Sequence, residues 1–251
     1  MTQPATPSGN ADFSWDHFDS EAYFQHYYGE PHPDDDQVVA LAATALKQAA
    51  RETGPLDLVD VGTGPNFIPL FAALPVASRL TVWEYSRNNI AWLEADLAKA
   101  EMRPQWKHFW SVTREAYAPD PTPEDPIPEL RAKTSLQQGS IYDLPARRWN
   151  AATMFFCAES ITSQMDEFER GCASFAQCVQ PGGLLAAAFL VHSGGYVVAD
   201  RPFPVLSLTA EQVETVFSRH ATGVRMQSVG IVEREIRSGY SGFVFLTGRA
   251  L

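Results

Sequence analysis

Cysteine is scarce in this chain. Its three cysteines, Cys157, Cys172 and Cys178, are odd in number and form no Cys-x-x-Cys pair, which excludes a disulfide framework and a thiolate zinc site and makes a reducing cytoplasm the expected compartment. Basic side chains are also few, 19 against 30 acids, leaving a net charge of −11. Such a balance repels phosphate backbones and anionic membrane surfaces, so nucleic acid is not expected as a partner. No uninterrupted apolar run approaches the roughly 20 residues of a bilayer span. The opening residues lack the basic start and apolar core of a secretion signal, and disorder is expected over 1–12. His32 stands beside Asp34, Asp35 and Asp36, but three acids at a helix start are explained by the helix dipole, and no metal is assigned.

The chain is 45% hydrophobic and 12% aromatic over 251 residues, ample for one large α/β domain at 13–251. A helix capped by Ser20 is predicted over 21–28 and a second after Pro33, giving a helical cap over 13–53. Strands are predicted at 56–61, 79–84, 135–141, 151–157 and 184–190, with helices at 66–74, 87–101 and 163–180 between them. This alternation implies a parallel sheet covered on both faces. Residues 104–133 read as an insertion: an aromatic helical stretch to Ala118, then five prolines between 119 and 128 that preclude regular structure. Val229–Ile236 and Gly242–Thr247 read as two strands with a short turn, Arg237 to Ser241, and so as an antiparallel pair.

The run Leu56 to Asn66 joins a buried-strand pattern directly to the turn Gly62-Thr63-Gly64. Glycines there permit positive backbone angles and let a ligand lie against main chain. Glu84 stands 22 positions past Gly62, at the end of the second strand, where an acid can accept hydrogen bonds from a ribose diol. A dinucleotide and S-adenosylmethionine both meet that description. The dinucleotide fingerprint requires a third glycine, but Gly64 is followed by Pro65, Asn66 and Phe67, which weakens the pyrophosphate reading.

Several separated segments together resemble the small-molecule amine methyltransferases that include nicotinamide, phenylethanolamine and indolethylamine N-methyltransferases. They are His17 to Tyr28, Gly62 to Pro65, Glu84 to Asn89, Cys157 to Ser160, Pro181 to Leu185, and Tyr196 to Asp200 with Phe203 and Leu206. The resemblance implies the class I methyltransferase fold: a Rossmann-like, mostly parallel seven-stranded sheet with an antiparallel C-terminal hairpin and an N-terminal helical lid. It also implies S-adenosyl-L-methionine as cofactor, with Tyr23 and Tyr28 closing over its methionine part, Gly62, Thr63 and Gly64 beneath it, and Glu84, Tyr85 and Asn89 near ribose and adenine. Ser140 takes the place of an aspartate that many such enzymes set against adenine, and Ile141 supplies apolar packing. Glu159, after the fourth strand, is expected to hold the substrate ammonium and take its proton, with Tyr23, Ser193 and Tyr196 also touching substrate. Tyr27 is left to packing. The second acid that several members place near the C-terminal strands is not evident at Ser238-Gly239-Tyr240, which puts catecholamine-like recognition in doubt.

The activity that follows is N-methylation of a small aromatic or heteroaromatic amine. An O-methyltransferase, a cofactor binder without transfer activity and an NAD-dependent oxidoreductase are the competing readings.

Overall fold

The structure is a computed structural model that describes residues 9–230, 237 and 239–251. The chain enters through two single 3-10 turns, Asn10–Asp12 and Trp15–His17, so the stretch expected to be disordered already has defined structure from residue 9. Helices α1 (Ser20–Tyr28) and α2 (Pro33–Thr53) follow. Asp19, not Ser20, caps α1 by accepting from the Ala22 amide at 2.9 Å. The Ser20 hydroxyl is used elsewhere, donating to Asn89 at 2.7 Å.

The sheet begins with β1 (Leu56–Val61), α3 (Ile68–Ala73), β2 (Ala77–Glu84), α4 (Arg87–Leu97) and β3 (Thr134–Gln138). It continues with β4 (Trp149–Phe155), α7 (Met165–Gln177) and β5 (Val179–Leu190). Between α4 and β3 lie α5 (Pro104–Tyr117) and α6 (Ile127–Lys133). The expectation of irregular chain through Pro128 fails at α6. There Pro128 occupies the first turn, where a missing N–H leaves no helical bond unmade. After β5 come a small hairpin, β6 (Tyr196–Val198) and β7 (Arg201–Phe203), then α8 (Ala210–Phe217), β8 (Ala221–Val229) and β9 (Phe243–Ala250).

The seven-stranded order is β3-β2-β1-β4-β5-β9-β8. The first five strands are parallel, and β9 runs antiparallel to both β5 and β8. The antiparallel ending agrees with the sequence reading, but its penultimate strand lies earlier, at 221–229; residues 231–236 of the expected strand lie outside the described residues.

Alternation along each strand divides two cores. Leu56, Leu58, Leu80, Ala186 and Ala188 pack with α2, α3 and α5 on one face, and Val59, Val61, Leu185, Ala187 and Phe189 with α7 and α8 on the other. Burial on both faces is why these strands read as nearly continuous apolar runs. No helix among the described residues is long and apolar enough to cross a membrane. The chain moves outward from β1 to β3, then resumes at β4 on β1's other side. That reversal opens a crevice at the carboxyl ends of β1 and β4, where open α/β sheets take their ligands.

Candidate active site

A cleft of about 850 Å³, counted with its open mouth, occupies this crevice. Its floor is the turn after β1. Gly64 has φ +62°, and a Cβ placed there would meet nothing within 4 Å, so its main chain faces open space. Gly62, at φ +67°, has a different role from the one expected. A Cβ on it would fall 2.1 Å from the Cys157 Sγ, so the residue is glycine because the segment after β4 crosses it closely. Thr63 lines the cleft while its hydroxyl donates to Asp60 at 2.5 Å, and Thr153 donates to the other oxygen of the same carboxyl at 2.6 Å. Burial pushes the Asp60 carboxyl up to about 7, against the pull of those two donors.

Glu84 ends β2 with its carboxylate turned into this turn. One oxygen accepts from the Gly64 amide at 2.9 Å, and the other from the Ser86 amide at 2.8 Å and the Asn89 side chain at 3.3 Å. Desolvation raises its pKa, and these bonds to the charged form oppose the rise. Ser86 caps α4 through the Asn89 amide, so one turn of chain fixes the acid and its amide neighbour together. Asn89 and the half-exposed Tyr85 border the cleft with Gly139, Ser140, Ile141 and Trp83. The Ser140 hydroxyl accepts from the Tyr142 amide at 3.2 Å and its carbonyl from the Trp83 indole at 2.9 Å.

The opposite wall is aromatic. Tyr23 and Tyr28 of α1 line it, joined by Trp15, Phe18, Phe156 and Tyr196. The small hairpin carries Tyr196 and Phe203, stacked at 5.5 Å, against Phe18 and Trp15. Trp15, Phe18 and Phe156 escaped the sequence reading of the site because isolated aromatics read as core. The lid is tied down by polar contacts as well. Arg103 makes a two-pronged pair with Glu21 at 2.9 and 2.8 Å and reaches Asp96 at 2.6 Å, and Asp16 pairs with Arg87.

Two expected substrate residues do not reach the cleft. Phe156 leaves β4 with φ +56°, and the following 3-10 turn, Ala158–Ser160, sends Cys157 and Ser160 to the cleft and Glu159 back into the protein. The Glu159 side chain is fully buried. One oxygen accepts from the Leu190 amide at 3.0 Å, and the other has no partner among the described residues. Burial raises this carboxyl to about 7. Ser193 is equally buried, its hydroxyl without a described partner, and it is not among the cleft residues. Burial also holds the Cys157 thiol well above its ordinary range, so it stays protonated.

The charged residue that sequence reasoning missed is Arg237. It is 6% exposed and lines the cleft. One Nη donates to the Ser160 hydroxyl at 3.0 Å, and the guanidinium lies over Tyr196 at 4.1 Å and Tyr27 at 5.4 Å. Tyr27 is thus more than packing. A single arginine in a C-terminal strand region carries no sequence signal that would mark it.

Sheet order and site together define a class I methyltransferase fold. The model of the NNMT/PNMT/TEMT family matches residues 8–246, and the chain belongs to that family. It is 21% identical to phenylethanolamine N-methyltransferase of Sus scrofa over 243 residues, covering 90% of this chain and 85% of that protein. With nicotinamide N-methyltransferase of Homo sapiens it shares 23% identity over 211 residues, 79% of each. Among solved structures, the Burkholderia thailandensis 1,6-didemethyltoxoflavin-N1-methyltransferase with bound S-adenosylhomocysteine superposes with a TM-score of 0.51 at 14% identity, covering 92% of this chain and 86% of that one.

Proposed function

We propose that the protein is an S-adenosylmethionine-dependent N-methyltransferase acting on a small aromatic or heteroaromatic amine. The observation that carries the reading is the meeting of Glu84 with the bare Gly64 main chain at the sheet's reversal point. This donor set fits the proposed cofactor: a carboxylate for a ribose diol, main-chain amides beside it and an aromatic cover. Family membership and the names of the relatives support the same reading. When bound, the cofactor supplies a methyl group on a sulfur that is already cationic.

The chain's part is to hold and align. Glu84 would take the sugar, with Asn89, Tyr85, Ser140 and Ile141 around the base and Gly62, Thr63 and Gly64 below. Tyr23 and Tyr28 would cover the methionine portion, their faces suited to a sulfonium. With α1 seated, the aromatic wall would shield and align the reacting groups, and alignment is a main source of the rate advantage of an in-line transfer. Glu159 is a positioning residue in this account. It fixes the turn that presents Ser160, since its carboxyl does not reach the cleft.

Calorimetry with S-adenosylhomocysteine and with NAD, followed by transfer of a labelled methyl group to panels of amines and phenols, tests the proposal. Binding of S-adenosylhomocysteine and labelled amine is the expected result. Labelled phenol alone would move the assignment to O-methylation, binding without any product would make the protein a cofactor binder, and preferential binding of NAD would overturn it.

A further inference from the structure

A guanidinium removed from water is costly unless an anion or several acceptors meet it. Arg237 has too few. The described residues give it the Ser160 hydroxyl as a hydrogen-bond acceptor at 3.0 Å, with the Tyr23 phenol near enough to feel its charge. Its Nε is buried and has no hydrogen-bond partner among the described residues. Glu159 acts on it only through space. The tyrosine faces of Tyr196 and Tyr27 hold the guanidinium's orientation without satisfying its N–H groups, so it is set in place for a planar, two-oxygen partner.

Its location separates it from the cofactor turn. Glu84 and Arg237 are the two charged side chains among the described residues of the cleft. Glu84 ends β2, whereas Arg237 lies against the segment after β4, two strand positions along the sheet, or about 10 Å. Arg237 also faces a smaller cavity of about 350 Å³ behind Tyr23, Tyr28 and Phe156, which the glycine turn does not line. Asp35 lines that smaller cavity with it, whereas in the main cleft Glu84, beside the glycine turn, is the one carboxylate among the described residues, since Glu159 is turned inward.

We propose that Arg237 anchors a carboxylate on the methyl acceptor, so that the substrate class is an aromatic or heteroaromatic amine bearing a carboxylate and not a simple cationic amine. The proposal rests on the methyltransferase reading and deepens it. The carboxylate docks edge-on to the guanidinium fork, the ring lies among Tyr23, Tyr27 and Tyr196, and the nitrogen is left toward the cofactor.

The test is calorimetry on the S-adenosylhomocysteine-loaded protein with pairs that differ by one carboxylate: nicotinate against nicotinamide, and phenylalanine against 2-phenylethylamine. Wild type is expected to prefer the carboxylate in at least one pair by about tenfold, the scale of a charge-assisted pair. Arg237→Gln should reduce that preference below about threefold, and Arg237→Lys, which keeps the charge but not the fork, should fall between. S-adenosylhomocysteine affinity should stay within about threefold of wild type in both variants, which also reports that they are folded. Equal or better binding of the carboxylate-free member in both pairs overturns the proposal. Loss of S-adenosylhomocysteine binding in a variant that unfolds like wild type overturns it too, by assigning Arg237 to the carboxylate of the cofactor. Failure of wild type itself to bind S-adenosylhomocysteine would instead defeat the methyltransferase reading.

Discussion

The Gly64 amide and the Glu84 carboxylate, 20 residues apart in sequence, meet at 2.9 Å across the tips of two adjacent parallel strands. Each holds the other at the sheet's reversal point, where the proposed function puts the cofactor's sugar. Glu84→Ala should weaken S-adenosylhomocysteine binding by about 1–3 kcal/mol through lost hydrogen bonds to the charged group. Calorimetry reads this directly, and affinity equal to wild type would contradict the placement.

Gly62→Ala should cost about 1–3 kcal/mol in urea unfolding, because the new methyl falls 2.1 Å from the Cys157 sulfur at a backbone angle of φ +67°. Adding Cys157→Ala should recover only part of the loss. It removes the sulfur but leaves a Cβ at 2.9 Å. A fully additive double mutant would show that the two positions do not interact.

Buried Glu159 makes stability depend on pH in a definite direction. Its carboxyl is raised from the ordinary 4.5 to about 7. Between those values the folded state binds more protons than the unfolded state, so this contribution is full below pH 4.5 and is lost as pH rises through about 7. Glu159→Gln should therefore gain on wild type by something on the order of 1–3 kcal/mol between pH 5 and pH 8, measured by urea unfolding. Its KM for the acceptor should change little, in contrast to a residue that holds substrate.

Arg103 joins Glu21 of the lid to the buried Asp96 and lies over Phe24 and Trp92 at 4.5 and 5.1 Å. Arg103→Ala should destabilise the protein by about 1–3 kcal/mol and speed hydrogen exchange in α1, with Arg103→Lys milder because it keeps charge but not the fork. The Arg103 hydrogen bond also lowers Glu21 from 4.5 to about 2, so this tie is lost as pH falls through that range. Exchange in α1 that is unaltered in Arg103→Ala would contradict the role.

Much of the fold was legible because buried parallel strands and glycine turns mark themselves locally. Val59, Val61 and Gly62 carry their assignment within six residues, and Glu84 carries its own by spacing. Tyr23 and Tyr28 could be taken from a short resembling segment. What failed was information stored in direction. Glu159 stands at the expected place in the chain, but the positive φ of Phe156 and the 3-10 turn behind it decide which way its side chain points. Arg237 was invisible for the complementary reason. Its environment is made by α1, the turn after β4 and the β6–β7 hairpin, three regions that only the fold brings together. Pro128 misled because proline forbids helix interiors and not first turns.

Ser20 of the lid donates to Asn89, and Asn89 in turn donates to Glu84. One amide therefore couples α1 to Glu84. On the proposed function, a cofactor that takes Glu84 would also alter that Ser20–Asn89 latch, whereas an acceptor packed on the faces of Tyr23, Tyr27 and Tyr196 does not reach Glu84. Traffic through this enzyme should accordingly be sequential, donor first and acceptor second, and initial-rate kinetics should show the compulsory-order pattern in which S-adenosylhomocysteine competes with the donor alone.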